Sequence, residues 1–151
     1  MGPAIPPAVH EEYGMPLSVD IENPDAPGVA ALLTAWAAER GDGAAPGSSA
    51  LTGPETRLVV AREDGRAVGC VVLVDCGTLG EIRHLFVLPA QRRGGVARAM
   101  MAVLESEALR LDLRRLRIVD AAGPDPGSGL YRGLGYLPCT DGGPCLEKTM
   151  R

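Results

Sequence analysis

A loop of two arginines and two glycines, residues 92–95, is the part of the chain whose residue types most directly suggest chemistry. It follows a strand-like run, residues 81–88, and opens into an amphipathic helical pattern. The first amides of a helix lack intrahelical partners, so a strand, a loop and a helix in this order can hold a phosphate group. Glycine there lets a ligand approach the backbone, although it costs about 1 kcal/mol relative to alanine inside a helix.

The loop alone leaves two interpretations open. It is either a diphosphate site flanked by Arg92 and Arg93 or an ordinary helix start with solvated arginines. A dinucleotide-binding loop is excluded because Gly-x-Gly-x-x-Gly is absent, and a nucleotide-binding P-loop is excluded because no Gly-Lys-Ser/Thr follows.

The elements around this loop predict an α+β fold with a mixed sheet of six or seven strands and helices on both faces. Alternation and turn signals place strands at residues 17–21, 56–62, 67–75, 81–88, 114–119, 136–139 and 145–150. Helical patterns cover residues 27–39, the segment after the glycines to Leu111, and a short stretch after Asp125, which is expected to cap it. Residues 1–15 are predicted to form a flexible tail, and residues 16–151 a single domain.

Composition limits the classes of partner. The net charge of −4 argues against a nucleic-acid binder, whose affinity would depend on a basic face. No signal peptide and no apolar run of about 18 residues is found, so we expect a cytoplasmic protein without a membrane partner. Aromatic residues make up only 3%, which predicts an aliphatic core.

Four cysteines form two pairs with five residues between their members, a spacing that matches no common zinc motif. We therefore expect reduced thiols, no disulfide and no bound metal. Cys70, inside a valine-rich run, is predicted to be a small buried hydrophobic residue.

Residues 85–97, Leu-Phe-Val-Leu-Pro-Ala-Gln-Arg-Arg-Gly-Gly-Val-Ala, resemble the acetyl-CoA signature of the GNAT superfamily of N-acetyltransferases. The core of that signature, Arg/Gln-x-x-Gly-x-Gly/Ala, is matched by Arg92, Gly95 and Ala97. Two further features occur in the family's order: Glu81 before the loop, and Leu-Tyr-x-x-x-Gly-Tyr at residues 130–136 after it. The order of elements from residue 17 to residue 150 also fits.

The resemblance implies a GNAT fold whose sheet is splayed at an acetyl-CoA site, with acetyl-CoA as co-substrate and no metal. Glu81 would be the general base, directly or through water, and Tyr131 the general acid near the thioester sulfur. Backbone groups of Leu85, Phe86 and Val87 would pair with the pantetheine arm. The amides that would hold the pyrophosphate are those of Arg92, Arg93, Gly94, Gly95, Val96 and Ala97.

The implied reaction is transfer of acetyl to a primary amine of a small molecule, by direct attack in a ternary complex. An alkyl amine with a pKa near ~10.4 is protonated at neutral pH, so a base such as Glu81 must remove its proton first. Two alternatives stay open: a protein or peptide N-acetyltransferase, and a non-catalytic acyl-CoA-binding regulatory domain. The resemblance is also compatible with a homodimer, and His84 is interpreted as packing against or lining the pocket.

Overall fold

The computed structural model describes residues 17–41, 45–119, 127–141, 143 and 145–150. The predicted tail and the predicted cap Asp125 lie outside these residues. The strands are β1 (Leu17–Glu22), β2 (Thr56–Glu63), β3 (Arg66–Asp75), β4 (Gly80–Val87), β5 (Arg115–Val119), β6 (Leu137–Pro138) and β7 (Cys145–Thr149). The α-helices are α1 (Val29–Arg40), α2 (Val96–Arg110) and α3 (Gly127–Gly133).

The described strands form one seven-stranded sheet in the order β1-β2-β3-β4-β5-β7-β6. The β4–β5 pair is parallel and is connected through α2, whereas the other neighbours are antiparallel. The tight turn between β2 and β3 forms where Asp64-Gly65 predicts it, and both residues have positive φ, 52° and 83°. The predicted mixed sheet is therefore confirmed.

Helices cover both faces of the sheet, because successive residues of a strand point to opposite sides. Val59 and Val71 pack with α2 residues such as Met100 in one buried cluster. Their strand neighbours, Val60 among them, pack with Leu32 and the rest of the buried side of α1 in a second cluster. Both clusters are largely aliphatic, as the composition predicts.

A β-bulge and a divergence of strands open the sheet at β4. Cys70 of β3 pairs with Phe86 of β4, and Val72 pairs with Arg83, so two residue steps along β3 match three along β4. The extra residue of β4 falls at His84, whose φ is 58°. Within the described chain, β4 and β5 are paired only at Gly80 and Glu81. Beyond these two residues the strands separate, so one edge of β4 faces a cleft.

The expectation of reduced thiols is wrong for one pair of cysteines, because Cys139 and Cys145 form a disulfide with a Cα–Cα distance of 5.5 Å. The hairpin between β6 and β7 returns the chain on itself, and the Cys139 amide donates to the Cys145 carbonyl (3.0 Å). Sequence spacing alone does not reveal this cross-strand position. Cys70 is fully buried as predicted, and burial raises the pKa of its thiol to about 12.

Candidate active site

The gap between the diverging strands forms a cleft of about 830 Å³ that reaches both faces of the sheet. Trp36 and Arg40 of α1 line it from one face, and Leu130 and Tyr131 of α3 line it from the other. The cleft brings together eight of the residues predicted from the sequence: Glu81, Leu85, Phe86, Val87, Arg92, Arg93, Ala97 and Tyr131. The other three lie beside it at the start of α2, where Gly94 and Gly95 are exposed and Val96 is buried in the core.

The N-terminus of α2 has the backbone geometry of an anion site. Gly95, the residue before the helix, has a φ of 85°, and Arg93 has a φ of 70°. The first bond of the helix runs from the Ala99 amide to the Gly95 carbonyl (3.0 Å), and no side chain caps the helix. Within the described residues the amides of Val96 and Ala97 therefore have no backbone acceptor, and they stand at the positive end of the helix dipole.

The Arg92 side chain joins three elements at this end of the cleft. Its Nε donates to the Val87 carbonyl (2.8 Å), and its Nη2 contacts both carboxylate oxygens of Glu39 at 2.8 and 2.9 Å. The guanidinium also lies 5.4 Å from the centre of the Phe86 ring. These contacts hold α1 against the end of β4, a role that the sequence did not indicate.

Glu81 reaches the cleft from β4 at the last residue paired with β5. Its carboxylate forms an ion pair with Arg83, two residues along the same strand. Its side chain is 20% exposed, so it remains accessible from the cleft. Arg83 thus fixes the orientation of the carboxylate while leaving it beside the open space.

The two tyrosines of the 130–136 motif have different environments. Tyr131 is 4% exposed and lines the cleft, and its ring meets that of Tyr136 edge-on at 5.8 Å. Tyr136 is fully buried and donates from its hydroxyl to Glu105 of α2 (2.7 Å), which also accepts from Lys148 of β7 (3.0 Å). Burial and the Glu105 carboxylate raise the pKa of Tyr136. Tyr136 is therefore a structural anchor behind Tyr131.

His84 lines the cleft, in agreement with its interpretation from the sequence, whereas sequence reasoning missed the contribution of Trp36. Their rings meet edge-on at 4.5 Å, and both line the cleft. His84 Nδ1 is buried and has no hydrogen-bond partner within the described chain. Burial, and then the charges of Arg83 and Arg40, lower the pKa of His84, so the imidazole is neutral at pH 7. The sequence places Trp36 within the helical pattern of residues 27–39, and only the tertiary structure shows that it lies against His84 of β4.

Residues 20–136 match the sequence model of the Acetyltransferase (GNAT) family. The chain belongs to this family, whose members are acyltransferases, and the predicted family is confirmed. An IAA acetyltransferase from Azospirillum brasilense is 33% identical over 88 residues, which are 57% of this chain and 58% of that relative. The chain thus matches a little over half of the length of this curated relative.

Solved structures confirm the fold. A Klebsiella pneumoniae protein assigned as an acyl-CoA N-acyltransferase superposes with a TM-score of 0.73 at 23% identity, covering 89% of this chain and 98% of that one. An aminoglycoside 6'-N-acetyltransferase complexed with coenzyme A superposes with a TM-score of 0.70 at 17% identity, covering 87% and 96%. Within the described residues, no helix has both the length and the apolar character needed to cross a membrane.

Proposed function

We propose that this protein is an acetyl-CoA-dependent N-acetyltransferase that acetylates a primary amine of a small molecule by direct attack in a ternary complex. The observation that carries the proposal is the arrangement of the cleft in a member of the GNAT family. An uncapped helix N-terminus lies at one end, and Glu81 and Tyr131 line the same space.

Acetyl-CoA fits this arrangement by charge and by backbone hydrogen bonding. Its pyrophosphate would accept from the free amides at the start of α2, because a helix N-terminus favours an anion. The pantetheine arm carries amides of its own and would pair with the edge of β4 at Leu85–Val87, as an added strand does. This orientation directs the thioester toward Tyr131.

The transfer needs no covalent enzyme intermediate. Glu81 takes a proton from the ammonium group, and the freed nitrogen attacks the thioester carbonyl to form a carbon–nitrogen bond. The carbon–sulfur bond then breaks, and the thiolate of CoA takes the proton that Tyr131 donates. The nitrogen releases its second proton to solvent, and Tyr131 regains a proton from solvent, so the products are the amide, free CoA and the proton held by Glu81. Arg83 supports the first step because its ion pair holds the Glu81 carboxylate in place.

A coupled assay tests this function. Purified protein is incubated with acetyl-CoA and a panel of primary amines, and free CoA thiol is measured alongside the mass of each amine. We expect thiol release that depends on the amine and a matching gain of one acetyl group. Peptides with free N-termini and lysines form a second panel, and preference for them would favour the protein N-acetyltransferase. Acetyl-CoA binding without transfer to either panel would instead favour the non-catalytic acyl-CoA-binding domain.

A further inference from the structure

The cleft has a closed end, at the point where β4 and β5 begin to separate. The last pair of residues that joins the two strands is Glu81 with Arg117. The next residues along the strands are Ile82 and Ile118, which the register places opposite each other. Both isoleucines line the cleft. The closed end is therefore formed by two branched aliphatic side chains.

The two isoleucines lie on the same face of the sheet as Tyr131. Successive residues of a strand point to opposite faces, so Ile82 points away from the face that carries Glu81. Ile82, Ile118 and Tyr131 belong to the buried cluster that includes the apolar side of α2. Ile82 is 2% exposed and Ile118 is 6% exposed. The proposed general acid and the closed end thus lie on one side of the gap.

Closely packed side chains stand behind the closed end. Gly80, two residues before Ile82 on β4, faces the same side of the sheet. A Cβ added at Gly80 would lie only 2.8 Å from side-chain carbons of both Leu73 and Leu116, which are fully buried. The layer behind the isoleucines is therefore already filled, and a filled core resists added volume.

In the proposed complex, the acyl group is the part of the cofactor nearest to this closed end. The pantetheine arm would run along the edge of β4, from the start of α2 toward the residues paired with β5, and the thioester would follow at Tyr131. An acyl group beyond the thioester then faces the two isoleucines. The opposite face of the gap carries the Glu81–Arg83 ion pair, and an apolar chain turned that way would remove water from these charges at a cost.

We propose that Ile82 and Ile118 are specificity-determining residues that limit the transferred acyl group to acetyl. This inference rests on the proposed function, because it requires that the cleft bind an acyl-CoA. Each methylene added to the acyl chain must displace a buried isoleucine, which weakens binding. An open pocket would have the opposite effect, since burying a methylene tightens binding about fourfold, the ratio that corresponds to about 0.8 kcal/mol. The sign of the length dependence therefore distinguishes a closed end from an open one.

Calorimetric titration with acetyl-CoA, propionyl-CoA and butyryl-CoA tests the proposal without an acceptor amine and without turnover. We expect the Kd to rise roughly tenfold from acetyl-CoA to propionyl-CoA, which is the lower end of the discrimination that one methylene gives in a closed pocket. Butyryl-CoA should bind more weakly still. A Kd that is equal for the three thioesters, or that falls with acyl length, would overturn the proposal.

Variants that remove one methyl group assign the limit to the isoleucines. Ile118→Val and Ile82→Val should each bring the Kd of propionyl-CoA to within about threefold of the Kd of acetyl-CoA, because each returns the space of about one methylene. Ile21→Val makes the same change on β1, at a residue that is 42% exposed and outside the cleft, and it should keep the wild-type ratio. Thermal unfolding verifies that each variant is folded. Wild-type ratios in both folded cleft variants would refute the assignment.

The two proposals fail in different ways. A preference for acetyl-CoA over the longer thioesters, without acetyl transfer to any amine, would leave the acyl limit standing and refute the proposed reaction. Acetyl transfer by a protein that binds the three thioesters equally would do the reverse.

Discussion

Tyr131 and Tyr136 show how two identical side chains of one motif have different roles. Tyr131 lies at the cleft, while the Tyr136 hydroxyl is committed to Glu105 in the core. A hydrogen bond to a charged group contributes about 1.5–3 kcal/mol, so Tyr136 is needed for stability. In the proposed reaction it is Tyr131, which lines the cleft, that exchanges a proton with the departing thiolate.

Replacing each tyrosine with phenylalanine should separate these roles. Tyr131→Phe should lower kcat by about 100-fold, the lower end of the range for a general acid, with little change in the Kd of acetyl-CoA. Tyr136→Phe should lower the free energy of unfolding by about 2 kcal/mol and leave kcat near wild type in the folded protein. Steady-state kinetics, calorimetry and urea denaturation measure these quantities. Equal loss of turnover and cofactor affinity in Tyr131→Phe would mark it as structural.

The buried imidazole of His84 predicts a pH dependence of stability. Its pKa is lowered in the folded protein by burial and by Arg83 and Arg40, so the unfolded chain binds a proton more readily. The free energy of unfolding should therefore fall as the pH decreases through about 6.5. Its other neighbours are Trp36 of α1 and Cys70 of β3, whose thiol stays protonated over this range.

Urea denaturation between pH 5.5 and 7.5 measures this effect. His84→Asn should flatten the profile, since asparagine tolerates the positive φ and does not titrate. His10→Gln, in the predicted tail, is the control and should keep the wild-type slope. An identical slope in His84→Asn would contradict the assignment.

At the scale of elements, the loop before α2 combines a left-handed backbone with the proposed phosphate site. Gly95 has a φ of 85°, and a Cβ added there would meet nothing within 4 Å. An alanine at position 95 would therefore be disfavoured only by its backbone conformation and not by a steric clash. Gly41, at the C-terminal end of α1, has a φ of 73° and equally open space.

This pair gives a matched test of the loop. Gly95→Ala and Gly41→Ala should each lower the free energy of unfolding by about 1 kcal/mol, because alanine is strained in the left-handed region. Only Gly95→Ala should also weaken acetyl-CoA binding, by roughly tenfold, since it alone changes the amides at the proposed pyrophosphate site. Similar cofactor affinity in both variants would argue that the loop is an ordinary helix start.

The bulge in β4 is an element-scale feature that the sequence does not reveal. Residues 81–88 predict a continuous strand, and the apolar pattern carries no sign of the extra residue at His84. Register depends on the pairing of β3 with β4, which involves contacts across the sheet. The glycines, in contrast, are a local signal, so the loop and the start of α2 could be predicted.

At the scale of the whole molecule, the disulfide joins Cys139, the residue that follows β6, to Cys145 at the start of β7. Closing a short loop of this kind contributes about 2 kcal/mol by restricting the unfolded chain. Cys145→Ser should therefore lower the free energy of unfolding by about that amount in urea. Cys76→Ser, which removes an exposed free thiol, is the control and should have little effect. A full reducing treatment that leaves wild-type stability unchanged would contradict this account.

The fold could be predicted more completely than the acceptor side of the site. Asp64-Gly65 and the 92–95 loop specify local structure, and they identify the β2–β3 hairpin and the β4–α2 unit. On the acceptor side, Trp36 of α1 contacts His84 of β4. These two elements are distant in sequence, so neither the helical pattern nor the strand pattern indicates the contact. The Glu105–Lys148 contact has the same origin, since it joins α2 to the last strand.

The central claim is that the start of α2 and the edge of β4 bind acetyl-CoA, and calorimetric titration of the wild-type protein tests it most directly. We predict a 1:1 complex with a Kd on the order of 10 µM, which is about 7 kcal/mol of binding free energy. The absence of both binding heat and a thermal shift at millimolar acetyl-CoA would contradict the claim.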